Sequence, residues 1–253
     1  MLDEPAFRVR NSVVNVQSAS NDVLSAILET IRAEARCSIS LKAGGDWGVA
    51  FPMPSHIKIN AVRKGSCWLR LSGEEPIKLV TGDCVVVAGS PFILSSAPNQ
   101  DTVSAREVFG SSALAATIGD GDNFSILGGS VEVDGTDGAL LTDALPPVMT
   151  IQGEKASSIA WLLSELDREW DSNAPGARLV SNDLLRLIFV HVLRIHMSSS
   201  GTPSQNWLSG LGDPHIGKAL HSIHTEPSNT WTVEGLARQA GQSRSAFALR
   251  FRE

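Results

Sequence analysis

The sequence predicts an α+β chain: an N-terminal β-barrel, a helical connector and a C-terminal helical subdomain. Three observations point there. Short β-prone runs separated by turn signals fill the stretch from Cys37 to Val133. Two segments with helical spacing follow Pro146-Pro147. Short, individually capped helical segments then follow a run rich in Ser, Gly and Pro. With 253 residues, 42% hydrophobic and 19% charged, the chain has a globular composition and enough length for a core.

Residues 22–36 place Val23, Leu24, Ile27, Leu28 and Ile31 at helical spacing behind Asp22 as N-cap. The β-prone runs are CSISL, IKINAVRKG, SCWLRL, IKLV, CVVVA and FSILGGSVEV. Their turns lie at Ala43–Asp46, Ser72–Pro76 and Thr81–Asp83. Gly119–Asp122 reads as a loop. Asp120 and Asp122 there lack the spacing of a calcium loop.

Residues 154–171 form a helix with Ile159, Leu162, Leu163, Leu166 and Trp170 on one face. Residues 178–197 form a second helix that is apolar on more than one side. It needs two packing partners. One is the barrel or the first helix; the other is a second subunit or simply more of the core. The organisation expected is a barrel over 1–150, a two-helix connector over 151–200, a linker over 201–206 and a C-terminal unit over 207–253.

In that last unit the helices expected are 213–225 (Asp213 as N-cap, Pro214 at N1), 233–240 (Thr232 as N-cap) and 244–252 (Ser243 as N-cap). Gly241 supplies the left-handed residue between the last two, and Phe247 and Phe251 anchor the final helix. This reads as a helix-turn-helix or a plain αα-hairpin.

Net charge is −6 overall, which excludes a generic polyanion binder. By segment it is −6 over 1–150, −1 over 151–206 and +1 over 207–253. The C-terminal unit is thus the part whose sign suits nucleic acid. Three cysteines (Cys37, Cys67, Cys84) without CxxC spacing argue against a zinc site or disulfide framework. No signal peptide or bilayer-length apolar run is apparent, so a cytoplasmic protein without membrane contact is expected. There is no G-x-S-x-G elbow and no phosphate loop, so no enzyme activity is expected.

The string WTVEGLARQAGQSRSAFALRFRE resembles the first helix-turn-helix of AraC-type transcription regulators. The preceding LGDPHIGKALHSIHTEP resembles the segment that leads into it. FPMPSHIKINAVRKGSCWLRLSGEEPIKLVTGDCVVVAGSPFILSSAP resembles the cupin-type sensor barrel of the same family, and ALPPVMTI its closing strand. The resemblance covers nearly the whole chain.

It implies a ligand-modulated, promoter-specific DNA-binding regulator. The DNA-binding residues implied are Ser243, Arg244, Ser245, Ala248, Leu249, Arg250 and Arg252. Ser245, Ala248 and Leu249 fall at groove-facing positions, and the arginines at phosphate-facing ones. Many relatives carry Arg at the position of Leu249. The family has two helix-turn-helix units and this chain ends after the first, which implies weaker DNA binding by this chain alone.

Cupin enzymes bind metal through His and carboxylate groups. By the resemblance, Asn60 and Phe92 stand at the usual His positions here. His56 lies about 13 Å from Asn60 along the same strand face, so no metal or other cofactor is expected. The cluster His215, His221 and His224 is likewise not read as a metal site. An organic effector in the barrel is expected instead, with Trp47, Phe51, Asn60, Arg63, Trp68 and Phe92 as candidate contacts. The expected partners are promoter DNA, an unidentified small-molecule effector and a second copy through the 178–197 helix. The alternatives are a stand-alone sensor or dimerising decoy without DNA binding, and, more remotely, a metal-dependent cupin enzyme.

Overall fold

The structure is a computed structural model. It describes residues 23–30, 32–110, 114–133, 135–172, 174–198, 210, 213–226 and 228–252. The expected linker and Asp22 lie outside those residues.

Helix α1 (Val23–Thr30) precedes strands β1 (Glu34–Ala43), β2 (Gly48–Phe51), β3 (Ile57–Lys64), β4 (Ser66–Leu71), β5 (Ile77–Val80), β6 (Cys84–Val87), β7 (Phe92–Ser95) and β8 (Val103–Ser104). Then come α2 (Ala105–Phe109), β9 (Ala115–Ile118), β10 (Phe124–Glu132), α3 (Gly135–Ala144) and β11 (Val148–Ile151). Helices α4 (Glu154–Ser157), α5 (Ala160–Trp170) and α6 (Ala177–Ser198) follow, then α7 (Ile216–Thr225), α8 (Val233–Gln239) and α9 (Arg244–Arg250).

The strands form two sheets, ordered β11-β6-β3-β10-β1-β9 and β5-β4-β7-β2-β8. Leu41, Val62, Val85, Val87 and Ile126 of the first sheet share one buried cluster with Val49, Leu69, Leu79, Phe92 and Leu94 of the second. That shared cluster is the barrel interior. The opposite face of the six-stranded sheet (Ala35, Ile57, Ile59, Val86, Val131, Met149) packs on α1, α3, α5 and α6 through Leu28, Leu141, Leu166, Ile188 and Phe189. A third cluster (Ile216, Ala219, Leu220, Leu236, Ala237, Ala240, Phe247) holds α7, α8 and α9 together.

Helix α1 is shorter than the 22–36 expected. Arg32 has φ of 46°, and the amides of Arg32 and Ala33 return to the carbonyls of Glu29 and Leu28. That pair of bonds is a Schellman stop, made here without glycine. Glu34 onward pairs with β10, so sheet pairing overrides local helical spacing. In β1 the register slips between Cys37 and Ile39. Ser38 is the extra residue, and the bulge swaps faces. Cys37 lies on the helix side, while Leu41 and Ala43 point into the barrel.

The helix expected over 154–171 is two helices, broken at Ile159, a fully buried residue that caps α5 with φ of −113°. Helix α7 begins later than the sequence suggests. Asp213 still serves as its cap, because its Oδ1 accepts the amide hydrogens of His215 and Ile216 at 2.8 and 2.9 Å. Thr232 and Ser243 cap α8 and α9 by accepting from the Gly235 and Ala246 amides.

Candidate functional site

The six candidate effector contacts separate into three places. Ile57 and Ile59 of β3 face the helices, so alternation turns Lys58, Asn60 and Val62 into the barrel. Register confirms it, since Lys58 pairs with Val87 and Asn60 with Val85, both interior. The chain crosses from Phe51 to Ile57 through residues 52–56, and from Val87 to Phe92 through 88–91. Phe51, Phe92 and Lys58 therefore gather at one end of the barrel. Phe51 stacks on Phe92 with ring centroids 4.7 Å apart and tilts against Phe109 at 6.4 Å.

Asn60 is buried, and its Nδ2 has no hydrogen-bond partner. A buried amide left unpaired costs about 1–3 kcal/mol, so this position is expensive in the free protein. A Cβ on Gly128 would sit 2.8 Å from the Asn60 Oδ1 and 2.8 Å from the Ile39 side chain. The glycine thus makes room for the amide. Burial lowers the Lys58 pKa, and Glu132 partly opposes that shift. Ser130 pairs with both Lys58 and Arg36, and Arg36 forms ion pairs with Glu34 and Glu132 at 3.5 Å. This end of the barrel therefore combines an aromatic wall with an ammonium and an unpaired amide. Lys58 was missed in the sequence because its inward orientation needs the strand phase set by Ile57 and Ile59.

Trp47 lies at the other end of β2, stacked on Phe124 at 4.7 Å. Arg63 and Trp68 do not line the barrel. Alternation from Ile59 puts Arg63 on the helix side of β3, where Asp167 and Asp171 of α5 hold its guanidinium. Cys67 and Leu69 point inward, so Trp68 faces out beneath the Lys78 ammonium, 5.9 Å from its ring centroid.

The Arg63 clamp borders an open groove of about 330 Å³ with Lys42, Lys64, Asp122 and Ser125. Its three cations and three carboxylates balance, so it exerts no net pull on an ion. Asp122 of the expected loop is paired with Lys64 at 3.3 Å.

No metal donor set is present at the implied positions. Asn60 and Phe92 offer no imidazole or carboxylate, and His56 is exposed before β3 begins. Among the described residues, no group of three His, Cys, Asp or Glu side chains is placed to hold a metal. His215 Nδ1 donates to the Ala240 carbonyl at 2.8 Å, a link inside the helical unit. The three cysteines are free, and burial pushes each thiol up to about 12, far from the range of a reactive thiolate.

In the C-terminal unit, Phe247 is buried among α7 and α8. That fixes which side of α9 faces out. Ser243, Arg244, Ser245, Leu249 and Arg252 are exposed and Ala248 is half-buried. Arg250 is occupied differently: its Nε donates to Asp213 Oδ2 at 2.9 Å. That carboxylate thus caps α7 with one oxygen and ties α9 with the other. Burial alone would raise the Asp213 pKa, but the Ile216 and His215 amides and Arg250 outweigh it and hold it below its ordinary value.

The connector packs on the barrel at β1 and β10. A Cβ on Gly129 would lie 2.2 Å from the Leu185 Cδ2 of α6 and 2.8 Å from the Arg36 carbonyl oxygen, so the glycine leaves room for both. The Cys37 backbone amide donates a hydrogen bond to Asn182 Oδ1 at 3.0 Å. On the other side of the helices, Trp161, Leu179, Val180 and Leu187 are exposed. Helix α1 touches α7, a second link between barrel and C-terminal unit. No described helix is long and apolar enough to cross a membrane.

A cupin family model matches residues 22–198. An AraC-like transcription regulator of Streptomyces lividans is 35% identical over 236 residues, covering 91% of this chain and 78% of its own. One from Streptomyces antibioticus is also 35% identical, over 240 residues, with the same coverage. Among solved structures, the AraC-like transcriptional activator CuxR covers 75% of this chain and 58% of its own, at 16% identity and a TM-score of 0.32.

Proposed function

This chain belongs to the cupin family and to the AraC-like transcription regulators, and from that premise we propose that it is a cytoplasmic, effector-modulated promoter-binding protein rather than an enzyme. The observation that carries the DNA-binding part is the outward face of α9. Caps at Thr232 and Ser243 start α8 and α9, and Phe247 anchors α9 in the shared core. Ser245, Ala248 and Leu249 are left facing outward, with Arg244 and Arg252 at the two ends. In a helix-turn-helix the second helix enters the major groove while basic side chains meet phosphates.

The effector site proposed is the barrel end with Phe51, Phe92, Asn60 and Lys58. A small organic acid suits it: the rings take its apolar body, and the ammonium and the unpaired amide take its polar group. Binding there acts on β3, whose Arg63 holds α5. Helix α6 is set against β10 through Gly129. The exposed apolar side chains of α5 and α6 support a homodimer through the 178–197 helix, which would present two reading helices to DNA.

The test is a gel-shift titration of the 253-residue chain with its upstream promoter DNA at several salt concentrations. Saturable binding that weakens steeply with salt is expected. A dimer that shows no salt-dependent DNA binding would overturn this reading and favour the decoy.

A further inference from the structure

The outer face of α9 carries information about which base it reads. Ser245, Ala248 and Leu249 follow the spacing i, i+3, i+4 and form one stripe opposite Phe247. Leu249 is 65% exposed. Leu249 thus puts an apolar group on the outward face, beside Ser245 and Ala248. Arg250, the last residue of α9, is paired through its Nε with Asp213. Ser245 Oγ lies 3.3 Å from Ser243 Oγ at the helix start.

The major-groove edges are chemically distinct. Guanine is read by Arg or Lys, adenine by Asn or Gln, cytosine by Asp or Glu, and the thymine methyl by apolar side chains. The centre of this stripe has none of the first three kinds. We propose that Ala248 and Leu249 read thymine C5-methyl groups, so that the half-site of this chain centres on T·A pairs. The inference rests on the DNA-binding reading above and adds the base that is recognised. Arg244 and Arg252, exposed at the two ends of α9, are then left for phosphates, which set register without reading sequence.

The experiment selects duplexes from a random pool with the 253-residue chain at low salt. Each thymidine of the selected site is then replaced by deoxyuridine, which removes only the methyl group. One or two positions are expected to lose about fourfold in affinity, the factor that corresponds to burying one methyl-sized group. Leu249→Ala should bind more weakly and lose that sensitivity at one position, so the two changes together cost little more than either alone. Its melting temperature should stay unchanged, since the side chain is exposed. Sites that tolerate deoxyuridine at every position, or sensitivity that persists fully in Leu249→Ala, would overturn the inference while leaving DNA binding intact. Failure to select any duplex would overturn both.

Discussion

Replacing Asn60 with leucine should stabilise the free protein while abolishing its response to effector. Asn60 is 4% exposed, and its Nδ2 has no partner. Its neighbours across the sheet are Val85 and Gly128. Leucine matches the amide in size and has no polar atom to orphan. The penalty relieved is about 1–3 kcal/mol. Some is returned by imperfect packing beside Ile39, because volume-conserving core changes cost up to about 1.5 kcal/mol.

The net expectation for Asn60→Leu is a gain of about 1 kcal/mol, or roughly 2–4 °C in melting temperature for a protein of this size. Asn60→Ala separates the two effects, because it removes the orphan but opens a cavity, and should be less stable than the leucine variant. Urea denaturation followed by circular dichroism measures both. A loss of more than about 1 kcal/mol in Asn60→Leu would refute the reasoning. It would mean that the amide is satisfied in the free protein and is not held in reserve for a ligand.

Gly129→Ala should destabilise by about 1–3 kcal/mol, because the added methyl overlaps Leu185 Cδ2 and lies 2.8 Å from the Arg36 carbonyl oxygen. Thermal melts of the single variants and of the double variant with Leu185→Ala should show non-additivity above about 0.5 kcal/mol. Asp213→Ala should cost about 1–2 kcal/mol by uncapping α7 and freeing Arg250, read as lost hydrogen-exchange protection over residues 216–250. The native carboxylate is held below its ordinary pKa, so its contribution is fully present above about pH 4 and falls away as pH drops through its folded value. The alanine variant should lack that acid dependence. Leu187→Glu, on the exposed side of α6, should leave the folding stability within about 0.5 kcal/mol of the parent and turn the proposed dimer into a monomer in sedimentation velocity. An unchanged sedimentation coefficient would count against that surface.

Much of the fold was legible because each local signal agreed with its neighbours. The runs at 57–64, 66–71, 77–80 and 84–87 alternate or are continuously apolar between Gly, Pro and Asp turns, and they become β3, β4, β5 and β6. Thr232 and Ser243 announce α8 and α9 by the caps they supply. Residues 34–36 were misread because their helical spacing continues that of α1, and only pairing with β10 makes them a strand. Strand β8 has two residues and α2 five, too short for a periodic signal.

The candidate site was legible in part. The family resemblance and the aromatic content singled out Asn60, Phe51 and Phe92. Arg63 and Trp68, from the same stretch of sequence, turned out to face away from the barrel, because one residue of strand phase reverses a side chain.

The sequence by itself determined what depends on near neighbours: composition class, most strand and helix spans, the caps, the turn at Gly241 and the outward serine, alanine and leucine of α9. Only the tertiary structure decided what depends on residues far apart in the chain. Asp167 and Asp171 engage Arg63 across about a hundred residues. Asp213 ties Arg250 at the end of α9 back to the start of α7. Gly129 admits Leu185, and the Ser38 bulge turns β1 from the helices to the barrel. Local preferences set a backbone conformation within a few residues. Which side chains meet, and which polar groups are left unpaired, follows from the register of strands and the packing of helices that the whole chain must satisfy together.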